Sequence, residues 1–106
     1  MSKKNRNDEI KKILLECIDL TEKKSNDYRS TKSRIKHIDY MPRGRLSIME
    51  MIHTKTMRLW SLIESDDKPN FESIEDTAKD LINYSSFLVA YNRGKIEGQN
   101  EHHKWY

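Results

Sequence analysis

The sequence predicts an all-α protein, a small helical bundle of three long helices and short connecting pieces. Three stretches carry apolar residues three or four apart, the period of a helix with one covered face. No stretch of useful length alternates in the period-two manner of a strand, and there is no internal repeat and no glycine-rich phosphate loop. Three glycines and two prolines in 106 residues leave few special turns. Apolar and charged residues each make up 35 % of the chain. That supports one modest core, so a single domain is expected over residues 8–93, flanked by tails at 1–7 and 94–106 and completed by oligomerisation.

The first helix is expected from Asp8, a residue that can cap it, to Lys24. Its stripe is Ile10, Ile13, Leu14, Cys17, Ile18 and Thr21, with Leu15 and Leu20 off it. Cys17 lies on the stripe and nothing nearby in sequence would lower its pKa, so it reads as a buried, inert thiol. A single cysteine cannot form an intramolecular disulfide and fits a reducing compartment. The polar N-terminus does not read as a signal peptide, and no apolar run approaches the ~20 residues of a membrane span. The expected location is the cytoplasm, with no membrane partner.

Ser25-Asn26-Asp27-Tyr28 reads as a turn. From Arg29 to Arg45 the period is lost, and Arg29, Lys32, Arg34, Lys36, Arg43 and Arg45 face one acid, Asp39. Ile35 and Ile38 could pin one helical turn to the core, and Pro42-Arg43-Gly44 marks a turn. Such a run is either a solvated basic loop or a phosphate clamp, because guanidinium groups offer paired donors to phosphate oxygens. A net charge of +3 and a pI near 9.0 favour phosphate-bearing partners mildly. Direct nucleic-acid binding is not expected, since positive charge and aromatics do not line one helix.

The second helix is expected over Leu46 to Glu64, with Ile48, Ile52, Leu59 and Ile63 inside and Met49 and Trp60 on one shoulder. The other shoulder carries Met51, Lys55, Arg58 and Leu62. Lys55 falls within ~60° of the stripe centre, so it must snorkel outward or meet a carboxylate. His53 reads as a packing residue, while Glu50 and Thr54 point away.

After a loop at 65–70 the third helix runs from Phe71 to Arg93, with a capping-box spacing at Ser73 and Asp76 and a stop at Gly94. Its stripe is Ile74, Ala78, Leu81, Ser85 and Leu88, and beside it runs Ser73, Asp76, Asp80, Asn83 and Phe87. Asp76 and Asp80 project about 40° apart, one turn above each other. They are the natural partners of Lys55. The tail beyond Gly94 shows no pattern. Adjacent His102 and His103 do not make a metal pair, and Trp105 and Tyr106 either dock on a groove or subunit or remain unfolded.

N-D-Y at 26–28, K-T-M-R-L at 55–59 and E-S-I-E-D-T-A-K-D-L-I-N-Y at 72–84 together resemble the nucleotide-modification-associated domain family of phages and prophages. That family is related to the MazG-like all-α nucleoside triphosphate pyrophosphohydrolases. The resemblance covers about Lys12 to Val89, and its third motif is the specific one. It implies a MazG-like bundle that oligomerises and holds a nucleotide between helices, in the host cytoplasm if the chain is phage-encoded. In the MazG-like enzymes carboxylates from two helices hold magnesium on the triphosphate. Here Asp76 and Asp80 match the later pair as tentative metal ligands, with Glu72 an outer contributor. The E-E-x-x-E cluster of the earlier helix has no counterpart, since Glu50 stands alone. The ligand-binding set then comprises Lys55, Arg58, Asp76, Asp80, Asn83, Tyr84, Tyr28, Arg43 and Arg45.

Three readings follow. The chain binds a nucleotide without efficient catalysis, sequestering a host signalling nucleotide. Alternatively it is a Mg²⁺-dependent pyrophosphohydrolase of canonical or modified nucleoside triphosphates. In the third, Asp76 caps its helix, Asp80 pairs with Lys55, and there is no ligand.

Overall fold

The computed structural model describes the backbone of residues 3–28, 34–65 and 71–100, and the side chains of residues 7–24, 34–65 and 73–100. Every regular element among them is helical: α1 (Lys3–Tyr28), a 3-10 turn (His37–Tyr40), α2 (Arg45–Glu64) and α3 (Phe71–Asn92). The all-α expectation therefore holds for the described residues. None of these helices is long and apolar enough to cross a membrane. The chain divides into two compact units, with α1 in the first and the remaining elements in the second.

α1 is longer at both ends than its sequence pattern suggests. Residues 3–7 contain neither glycine nor proline, so the helix continues upstream and Asp8 lies inside it instead of capping it. Ser25 to Tyr28 form the last turn instead of ending the helix, since serine, asparagine and aspartate are weak helix formers in general but do not forbid helix. Cys17 is buried at 2 % exposure, and Ile13, Leu20 and Thr21 are half-buried. Ile10, Leu14 and Ile18 of the expected stripe are instead about half exposed, as is Leu15. The apolar residues of α1 span more than one face.

In the second unit α2 and α3 form an antiparallel pair. Its register shows in two contacts: Arg45 at the start of α2 reaches Asn92 at the end of α3, and Lys55 at mid-α2 reaches Asp80 at mid-α3. One end of the pair is apolar. Met41, Ile48 and Ile96 are buried there at 7 %, 2 % and 6 %, with Ile38, Ile52, Phe87, Leu88, Ala90 and Tyr91 packed around them. The expectation that Ile38 anchors one helical turn is met by the 3-10 turn. Ile35 is half exposed.

Towards the other end the covered line of α2 is rotated from the apolar stripe read in sequence. Ile63 is 61 % exposed, whereas Lys55, Leu59 and Leu62 are half-buried. The line thus runs Ile48, Ile52, Lys55, Leu59, Leu62, with the lysine inside the stripe. His53, expected to pack, is exposed. On α3 the expected stripe residues Ile74, Ala78, Leu81 and Leu88 are half-buried and Ser85 is exposed, and the covered surface also takes in Thr77 (3 % exposed), Asp80, Tyr84 and Tyr91. The Lys55–Asp80 pair accounts for a lysine within the covered line of α2, which apolar periodicity alone does not register.

α3 begins at Phe71, so Ser73 and Asp76 lie within its first turns and neither is the residue before the helix. It ends in a Schellman motif: Lys95 N–H donates to the Ala90 carbonyl at 3.0 Å, and Gly94 N–H to the Tyr91 carbonyl at 3.0 Å. Gly94 holds the required positive φ of 71°. Residues 94–100 then fold back as turns, although the sequence places them in a tail. Ile96 enters the core, Gln99 Nε2 donates to the Tyr91 carbonyl at 2.9 Å, and Ile38 N–H donates to the Glu97 carbonyl at 3.0 Å. His102, His103, Trp105 and Tyr106 lie outside the described residues.

Candidate functional site

The middle of the α2–α3 seam holds the arrangement with most chemical interest. Lys55 Nζ lies 3.1 Å from Asp80 Oδ2, with the two side chains 25 % and 18 % exposed. Helix periodicity forces this meeting, since Lys55 replaces an apolar residue on the covered line of α2 and Asp80 occupies the facing line of α3. Withdrawing both charges from water costs several kcal/mol, which their attraction offsets only with good geometry. The ammonium is held by one carboxylate while retaining further N–H donors for an anion.

Around this pair stand the other sequence-predicted residues. Asp76 is exposed, one turn before Asp80, and Arg58 is exposed, one turn after Lys55. Asn83 is half-buried, and its carbonyl accepts from Ser86 Oγ at 2.6 Å. Tyr84 is half-buried with its ring edge-on to Phe87, centroids 5.7 Å apart. Tyr28 is the last residue of α1, but its side chain lies outside the described residues, as does that of Glu72.

Arg43 and Arg45 sit elsewhere. They precede Lys55 by ten or more residues, or about 15 Å along α2 at ~1.5 Å per residue. Both are engaged within the chain. The Arg43 guanidinium pairs with Glu50, and its backbone N–H donates to Ser47 Oγ at 2.8 Å. Arg45 Nε donates to Asn92 Oδ1 at 2.6 Å, and its guanidinium carbon lies 5.5 Å from the centroid of the Tyr91 ring. Within one chain the basic turn and the Lys55–Asp80 pair are separate features.

The tentative magnesium ligands Asp76 and Asp80 are joined by no further metal-binding side chain among the described residues. Among the described residues no three His, Cys, Asp or Glu side chains come together. Of the two tentative ligands, Asp80 has an ammonium 3.1 Å from its oxygen and Asp76 is exposed. A dication needs several oxygens free of such a competitor.

Two residues not singled out by sequence join the unit's polar groups. Thr77 is buried one turn before Asp80, and its spacing to Asp80, Tyr84 and Tyr91 (three, four, seven) was the available signal. His37 packs edge-on against Phe87 with centroids 4.7 Å apart. Burial lowers its pKa below the usual 6.5, partly opposed by Glu97. Nothing local in the sequence marked it. A shallow depression on α2 is lined by Met57, Trp60, Ser61, Glu64 and Ser65, and it contains none of the predicted ligand residues.

Fold and site together define an all-helical protein with a polar helix–helix seam. Comparison of the chain with protein-family models, with curated proteins and with solved structures gives no match.

Proposed function

We propose that the chain is a nucleotide-binding protein that acts as a homo-oligomer and sequesters its ligand without efficient hydrolysis. Lys55 and Arg58 contact the ligand phosphates. Asp80, Asn83 and Tyr84 offer acceptors, an amide and an aromatic face to the rest of the nucleotide. The observation that carries this reading is the Lys55–Asp80 pair, an ammonium set inside a helix seam with a carboxylate to orient it. A ligand phosphate brought to that ammonium gains a charge-assisted hydrogen bond in a partly dehydrated site. In this reading a second copy supplies the outer wall of the site. The motif resemblance at 72–84 supplies the nucleotide class, and for a phage-encoded chain it points to a host signalling nucleotide.

Sequestration ranks above hydrolysis because the sequence has no counterpart of the E-E-x-x-E cluster that would help hold metal and orient water. Incubation with canonical and modified nucleoside triphosphates in magnesium or manganese should release little pyrophosphate. Robust turnover lost in Asp80→Asn would reverse that ranking. The binding reading itself is tested by denaturing the purified protein and identifying the released small molecules by mass spectrometry. A nucleotide at stoichiometric amount is expected. No released nucleotide, together with no calorimetric binding of cyclic oligonucleotides, ADP-ribose derivatives or nucleoside triphosphates, would overturn it.

A further inference from the structure

On α1 five residues make a line at helical spacing: Lys11, Leu14, Leu15, Ile18 and Glu22. At ~100° per residue they fall within an arc of about 100°, and all five are exposed, the three apolar ones at 46 %, 52 % and 51 %. This line lies to one side of the covered residues Ile13, Cys17, Leu20 and Thr21, so it is a second apolar face. A solitary helix gains most of its stability from packing its apolar surface, and a helix with two apolar faces is built for two partners.

The ends of the line carry opposite charge, Lys11 at the N-terminal end and Glu22 at the C-terminal end. That asymmetry selects an occupant. We infer that this face is covered by the same face of α1 from a second copy, packed antiparallel about a two-fold axis passing between positions 16 and 17. In that register Leu15 lies over Ile18 of the partner subunit and Lys11 lies over Glu22 of the partner subunit, and symmetry makes each contact twice. A parallel pairing would set like charges side by side at both ends. The interface names one contact of the homo-oligomer in the proposed function, and it rests on that assembly but not on nucleotide binding.

The test is sedimentation velocity of the full chain and its variants at low ionic strength, with circular dichroism to check that helix content is kept. Lys11→Glu and Glu22→Lys should each weaken association about tenfold, because each converts two attractive exposed pairs into repulsive ones. The double reversal should restore it, and Leu15→Asp should abolish this contact. A wild-type monomer at tens of micromolar would overturn both this interface and the oligomeric part of the proposed function. A wild-type oligomer indifferent to all four variants would overturn this interface alone. Single reversals that weaken association without rescue by the double would overturn the antiparallel register.

Discussion

One end and the middle of the α2–α3 pair are held by different physics. At one end Met41, Ile48 and Ile96 bury apolar surface from three separate segments, reinforced by turn hydrogen bonds from residues 94–100. In the middle the seam is polar, with Lys55 against Asp80 and Thr77 buried close by. Apolar burial contributes about 25 cal/mol per Å² and tolerates small shifts. An ion pair in the same position contributes little net stability, yet it penalises any register that separates its members. The apolar end stabilises the unit; the polar middle fixes its alignment.

The largest expected effect lies at the apolar end. Ile48 is 2 % exposed and shares its buried cluster with Met41 and Ile96, so Ile48→Ala should destabilise the protein by about 2–4 kcal/mol. Urea unfolding measures this, and a loss below ~1 kcal/mol would mean the buried cluster is not the anchor.

In the middle the comparison sharpens into an asymmetry. Asp80→Asn leaves the Lys55 ammonium withdrawn from water without its carboxylate, and should cost about 1–2 kcal/mol. Lys55→Met keeps an apolar stem and should change stability by less than ~1 kcal/mol, because it removes a charge whose burial was already costly. Equal losses in both variants would show that the pair contributes net stability, against this account.

How far these regions were legible in sequence follows the same division. Lys55 and the acids at 76 and 80 stood out because a charge near the centre of an apolar stripe needs a partner, and helix spacing alone located both. The contact of Lys55 with Asp80 in particular was among the pairings open to it. Ile96 was invisible, since it lies in a turn and its partners Met41 and Ile48 are about fifty residues away in the chain. The engagement of Arg43 by Glu50 and of Arg45 by Asn92 and Tyr91 was hidden for a similar reason. Local composition records a basic run but not which of its members the fold has already paired. The rotated line of α2 was missed because apolar counting favoured Ile63 over Lys55.

The smallest expected effect concerns pH. His37 is packed on Phe87, and burial holds its pKa below 6.5. The unfolded chain therefore takes up its proton at higher pH than the folded one. The contribution of neutral His37 is fully present above 6.5 and is lost as pH falls from there through the depressed folded value. His37→Gln should flatten the part of the stability profile below pH 6.5 attributable to this residue. An unchanged acid limb would assign that limb to other groups.

The central claim, that the polar middle of the seam exists to receive phosphate, is tested most directly by calorimetric titration of wild type and Lys55→Met. The titrant is the nucleotide identified after denaturation, or the strongest binder among cyclic oligonucleotides, ADP-ribose derivatives and nucleoside triphosphates. With the fold retained, the variant should lose on the order of 1–3 kcal/mol of affinity, the range for a charge-assisted hydrogen bond. Equal affinity in wild type and variant would contradict the claim and leave the Lys55–Asp80 pair as a register device of the helix pair.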